Sequence, residues 1–123
     1  MKATDLMIGD WVSSRGKSER VTSVYDGYIC TATFQDSHDY YFEPIPITPE
    51  ILEKNFKEFI PGLNCMYELG GPYVASLEEE GQWVFGLAQL GKDSKRYPLV
   101  KIKYVHEFQH ALKLCGIDLE IRL

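Results

Sequence analysis

Cysteine is scarce in this chain: Cys30, Cys65 and Cys115 are odd in number and far apart, with no C-x-x-C pair among them. That spacing gives neither a disulfide nor a thiolate-metal framework. It fits small buried hydrophobes in a reducing compartment, so a cytoplasmic protein is expected. No run of about eighteen apolar residues occurs, which excludes a membrane-spanning helix. The opening Met1-Lys2-Ala3-Thr4-Asp5 leads into a short apolar run cut by Gly9 and Asp10, unlike a signal peptide. Catalytic fingerprints are equally thin. There is no G-x-S-x-G, and no Cys or Ser is tied to a His by a local signature. Gly70 and Gly71 have no following helix and no lysine partner, so they make no phosphate loop, and no cofactor is implied. Internal repeats, linkers and low-complexity tracts are also missing.

Positive charge is in short supply. Thirteen Lys and Arg stand against eighteen Asp and Glu, a net charge of −5, which argues against general nucleic-acid binding because that depends on neutralising phosphates. The local exception is Lys92, Lys95, Arg96, Lys101 and Lys103. Lys101 and Lys103 read as the wet face of a strand whose dry face is Val100 and Ile102, rather than as a phosphate-binding patch. The acidic run Glu78-Glu79-Glu80 before Gly81 reads as a solvated hairpin tip.

What remains is an ordinary globular composition, 45% apolar and 25% charged over 123 residues, enough for one domain with a real core. Residues 1–43 read as short strands. Trp11-Val12 follows a Gly9-Asp10 turn, residues 13–18 form a polar loop, and residues 20–25 and 28–34 flank Asp26-Gly27, a strong two-residue hairpin signal. A polar loop at 35–39 precedes Tyr40-Tyr41-Phe42. Closely spaced strands and tight turns fit a small curled sheet of the SH3-like barrel kind, although alternation does not fix closure. A proline-rich extended stretch then meets a clear helix start, with Thr48 as N-cap, Pro49 at the first position and Glu50 facing the positive end of the dipole. The helix is expected over 48–60, with Leu52, Phe56 and Phe59 as its apolar stripe and Pro61-Gly62 as its stop.

Residues 65–69, 73–77, 83–90 and 96–103 read as four more strands of an antiparallel meander, separated by Gly70-Gly71-Pro72, Glu80-Gly81 and residues 91–94. A C-terminal helix is expected over 104–115, stopping at Gly116 with Ile117 folded back onto Leu112. Alternation of Ile117, Leu119, Ile121 and Leu123 with polar residues predicts a final strand over 117–123. The fold class is α+β, mostly antiparallel.

The last helix carries the one literal catalytic motif. Residues 106–110 read His-Glu-Phe-Gln-His, in which two His one turn apart bind zinc and Glu acts as general base in zinc hydrolases. That gives His106 and His110 as candidate metal ligands and Glu107 as candidate catalytic base. The context is unfavourable. At about 100° per residue, Val105, Phe108, Leu112 and Cys115 form the core stripe, with Tyr104 and Ala111 beside it. The two His then share a solvent face with Lys113. A catalytic zinc needs three protein ligands in a partly enclosed cavity, yet Lys113 and Gly116 occupy the places of the Gly and third His in the extended motif. Glu120 is the only downstream candidate. His38, with Asp36 and Asp39, is a turn composition before it is a ligand set.

The aromatic load is high: two Trp, eight Tyr and six Phe. Tyr25, Tyr28, Tyr40 and Tyr41 crowd the N-terminal strands, and tyrosines around a small barrel are what peptide-binding surfaces are made of. They are the candidate binding surface.

Three segments carry a resemblance. Residues 5–12, DLMIGDWV, look like an "L-x-I-G-N/D-W-V" opening; residues 44–52, PIPITPEIL, look like "P-I-P-L-T-x-E-I-L"; residues 104–110, YVHEFQH, are similar to "Y-V/L-H-E-L-Q-N/H". With the acidic-apolar tail 116–123, the chain resembles a family of small uncharacterised proteins from gut bacteria and their prophages. In that pattern the place of His110 is often Asn. The resemblance implies a prophage or mobile-element accessory protein and supplies no catalytic or binding residues. The expected activity is that of a non-enzymatic protein-interaction module with a protein partner, and the alternative is a zinc-dependent hydrolase.

Overall fold

Two-residue turns build the N-terminal sheet. The computed structural model describes residues 1–59, 62, 65–78, 81–89 and 95–123. Strands β1 (Trp11–Ser14), β2 (Lys17–Tyr25), β3 (Tyr28–Thr31) and β4 (Ser37–His38) pair antiparallel in that order. Residues 13–18 are a hairpin rather than the expected polar loop: Ser13 faces Ser18 and Ser14 faces Lys17. Arg15 (φ 52°) and Gly16 (φ 78°) are both left-handed, which is the turn whose twist matches the flanking strands. Asp26-Gly27 makes the second hairpin as expected, with Tyr25 opposite Tyr28. The return strand stops at Thr31 because the Thr31 hydroxyl accepts the Thr33 and Phe34 N–H groups at 3.3 and 3.1 Å, a local turn that competes with the ladder. Tyr40 and Tyr41 lie in a 3-10 turn (Asp39–Tyr41), not on a strand. Beyond it Glu43 exchanges two 2.8 Å backbone bonds with Ser13 on the outer edge of β1, and the sheet curls into a half-barrel. Its core is Ala3, Leu6, Val12, Val21, Ile29 and Phe42. Asp10, fully buried, accepts the Met7 N–H at 2.8 Å and fixes the turn into β1.

By its internal contacts the chain, expected as one domain over 1–123, divides into two compact units. The first is Met1–Pro46 with Tyr104–His106, and the second is Ile47–Lys103 with Glu107–Leu123. The second begins at helix α1 (Pro49–Asn55), where the Thr48 hydroxyl accepts the Ile51 N–H at 3.3 Å. The helix ends well short of residue 60. Phe56 is extended (φ −137°, ψ 159°), and Lys57–Glu58 become β5, paired to Glu68 and Tyr67. A ladder partner far along the chain outcompetes a helical continuation whose apolar spacing was sound.

Strands β6 (Met66–Gly70), β7 (Tyr73–Leu77), β8 (Trp83–Gln89) and β9 (Lys95–Ile102) complete a five-stranded antiparallel sheet in sequence order. The meander stands as expected. Pro61, Glu79, Glu80, Leu90 and residues 91–94, Lys92 among them, lie outside the described residues, as do the side chains of Lys95 and Arg96. Ile102 is buried, but Val100 is exposed rather than on a dry face. Val100 pairs with the buried Phe85 in unbroken register with Ile102, and it lies on β9, the outermost strand; just before it a bulge sets Gly86 opposite Pro98, so Leu99 is an extra residue on β9. Pro98, which has no N–H to donate, is tolerated on this edge strand at its bulge. There β9 runs so close to β8 that a Cβ on Gly86 would stand 2.6 Å from the Tyr97 carbonyl oxygen.

Helix α2 (Val105–Leu114) meets the sheet through Phe108, whose ring lies 6.3 Å from Phe85 and 5.5 Å, edge-on, from Phe56. Burying one such side chain fully is worth about 1.5–3 kcal/mol. The Tyr73 phenol, hydrogen-bonded to the Cys115 thiol, is held above the usual tyrosine range. The three cysteines are free and half-buried rather than core. The helix closes as expected: Gly116 (φ 70°) lets its own N–H reach Lys113 O at 3.1 Å and the Ile117 N–H reach Leu112 O at 2.9 Å. Residues 117–123 form no strand. The Asn55 side chain takes the place of one, donating to Arg122 O at 2.7 Å and accepting the Arg122 N–H at 2.6 Å, and Ile121 is buried beside it. One amide can satisfy both backbone groups of a single residue, which alternation alone cannot distinguish from a ladder.

Candidate binding surface on an aromatic edge

The β2–β3 turn and the β3–β4 pairing assemble a row of rings within the first unit. Register sets His38 opposite Tyr28, and their ring centroids are 4.6 Å apart. The 3-10 turn that follows β4 brings Tyr40 over His38 at 5.1 Å with planes 16° apart. Tyr41 then lies 4.4 Å from Tyr40, and their hydroxyls are 3.4 Å apart. The row Tyr28–His38–Tyr40–Tyr41 is therefore continuous. Its tyrosines are 38%, 64% and 56% exposed, and His38 is exposed as well. Tyr25, also exposed, faces Tyr28 across the turn but has no ring contact among the described residues.

The turn is held from beneath. The Asp39 carboxylate accepts the Ala3 N–H at 2.9 Å, and the Asp39 N–H donates to Gly27 O at 3.0 Å. Asp36, in the left-handed region (φ 46°), is bonded to Cys30 through both its N–H and its carboxylate. Asp36 and Asp39 are thus occupied in shaping the turn. The hydrogen bond with Tyr41, ahead of the other neighbouring phenols, holds the Tyr40 phenol above the usual tyrosine range. Beside Tyr41 opens a cleft of about 230 Å³ lined by Ser14, Arg15, Phe34, Ser37 and Phe42. Flat rings beside a small socket can grip a partner by stacking and burial.

The His-Glu-Phe-Gln-His segment sits differently from its expected place. His106 is only 7% exposed, stacked on Tyr104 at 5.9 Å and 9°, and does not face solvent. Helix α2 is buried over Val105, His106, Phe108, Gln109, Ala111 and Leu112, an arc wider than one apolar stripe, so a single-stripe wheel misplaces the histidine. His110 is half-buried and Lys113 exposed. The Glu107 carboxylate accepts the Lys103 N–H at 2.9 Å and staples the helix start. Among the described residues no group of three or more His, Cys, Asp or Glu is placed to hold a metal ion. No helix among them is long and apolar enough to cross a membrane.

His38 is the member of the row that composition does not single out, because between Asp36 and Asp39 it has the make-up of a turn. The signal lay in register: a histidine two residues before a Tyr-Tyr pair and across a ladder from a third tyrosine. No family model, curated protein or solved structure matches the chain.

Proposed function

We propose that the chain is a non-enzymatic protein-interaction module, an accessory protein of prophage or mobile-element type, that engages a protein partner through Tyr25, Tyr28, Tyr40 and Tyr41, with His38 in the row. The observation that carries this reading is the unbroken, solvent-facing run of rings from Tyr28 to Tyr41. Tyrosine buries a large rigid area at low entropic cost and is enriched at the residues that dominate binding energy. A contiguous exposed aromatic patch on a chain of this size marks an interaction site more often than a solvated one. The test is affinity capture from the native host with the wild type and with Tyr40→Ser and Tyr28→Ser variants whose melts match it. The reading expects a specific partner that both substitutions release. A partner retained at full strength by both variants overturns it.

A further inference from the structure

A second cavity, of about 540 Å³, lies within the five-stranded sheet of the second unit, inside the range of small-molecule sites. Two rows of the ladder build it. Ser76, Val84 and Lys101 stand abreast on β7, β8 and β9, and Val74, Gly86 and Pro98 form the adjacent row. Val74, Ser76 and Val84 in its lining are 4%, 3% and 6% exposed, so its floor is largely closed off while its mouth is open. The missing side chain at Gly86 adds depth in the middle of the second row, and a larger residue there is barred by the Tyr97 carbonyl.

The polarity of the cleft is segregated. Its apolar part is Val74, Val84, Leu87 and Pro98. Its polar part is Ser76 and Glu78 from β7 and the strand's end, and Lys101 from β9. The buried Ser76 hydroxyl donates to the Glu78 carboxylate at 3.3 Å, which orients that acid and leaves the hydroxyl's lone pairs open to a donor. Lys101, two strands away or about 10 Å between backbones, is exposed and forms no ion pair among the described residues. An acceptor pair on one wall and a cation on the other complement a head group that carries an ammonium and a carboxylate together.

We infer that this cleft binds a small zwitterion with an apolar substituent, of the class of free apolar α-amino acids. The ammonium meets Ser76 and Glu78, the carboxylate meets Lys101, and the side chain lies over Val74, Val84 and Gly86. This site is independent of the aromatic row and belongs to the other unit. The test is an amide NMR titration of the whole chain with phenylalanine, N-acetylphenylalanine and phenylalaninamide. The expected result is shifts centred on Val74, Ser76, Val84 and Leu87, with each blocked compound bound at least about tenfold more weakly, since a charge-assisted contact is lost. Glu78→Gln abolishes the preference over the acetyl compound, Lys101→Met abolishes the preference over the amide, and Val84→Phe fills the cleft. Because Glu78 and Lys101 lie at its rim, those two variants decide the matter even if Val84→Phe misfolds. Absence of shifts at millimolar phenylalanine, shifts centred elsewhere, or preferences unchanged in both rim variants overturns the assignment.

Discussion

His38 and His106 both lie against tyrosine rings within one unit, and they differ in everything else. His38 sits between Tyr28 and Tyr40 on an exposed edge. His106 is stacked on Tyr104 and nearly closed off from solvent. The first pairing displays ring surface, whereas the second consumes it. A five-residue motif on a helix states which side chains share a turn. Whether they have room for a ligand depends on how wide an arc of that helix is buried, and for α2 the arc takes in the first histidine. Conversely, a polar-looking loop became the surface of interest because register, not composition, lined up its rings.

The buried side of this contrast should fail first. Phe108→Ala and Leu112→Ala each remove a side chain that is 1% exposed, and each is expected to cost roughly 2–5 kcal/mol in denaturant unfolding. Values under about 1 kcal/mol would mean that α2 is not packed as described. Next in size is the pair of histidines. His106→Ala is expected to cost about 1–3 kcal/mol, in the range of buried polar truncations, and His38→Ala to stay within about 0.5 kcal/mol. Equal effects on the two melts would erase the contrast.

Two phenols sharpen the contrast through pH. Burial first, then the carboxylates of Glu58 and Glu53, raises the Tyr67 phenol, and Tyr67 is fully buried. A raised value favours the neutral phenol in the folded state. Its contribution is therefore complete below the unfolded value near 10 and is lost as pH rises through the higher folded value. Tyr67→Phe should flatten the alkaline limb of the stability curve, and Tyr40→Phe, on the exposed edge, should leave it nearly as it was. Stability measured between about pH 9 and 11.5, bracketing the ordinary tyrosine value, checks both. The smallest expected effect is that of zinc. Added zinc should not raise the melting temperature, and a rise that disappears in both His106→Ala and His110→Ala would revive the hydrolase reading.

Local signals with a mechanism of their own could be read from the chain. Thr48-Pro49 starts a helix, Gly116 stops one, Asp26-Gly27 turns a hairpin, and the four meander strands fall within a residue or two of their expected bounds. Signals that depend on a distant partner could not. Nothing near Phe56 says that Lys57 will pair with Glu68, and nothing near Arg15 announces a non-glycine residue in a left-handed turn. Tyr25, Tyr28, Tyr40 and Tyr41 were identifiable as a group from their density. Their order in space, and the histidine between them, required the β3–β4 register. Val100 shares the phase of Ile102 yet is exposed, because alternation gives a residue's face and not whether anything covers that face on an outermost strand.

The near-contact at Gly86 has a consequence for heredity. Any residue other than glycine carries a Cβ, and here that atom would press into the Tyr97 carbonyl, a backbone group that cannot rotate away. Every missense change at that codon thus carries the same first penalty, whatever the chemistry of the new side chain. In a library of single variants, position 86 should tolerate nothing from alanine to tryptophan, while its neighbours discriminate by size and polarity. A flat row in such a map would record how closely two strands approach.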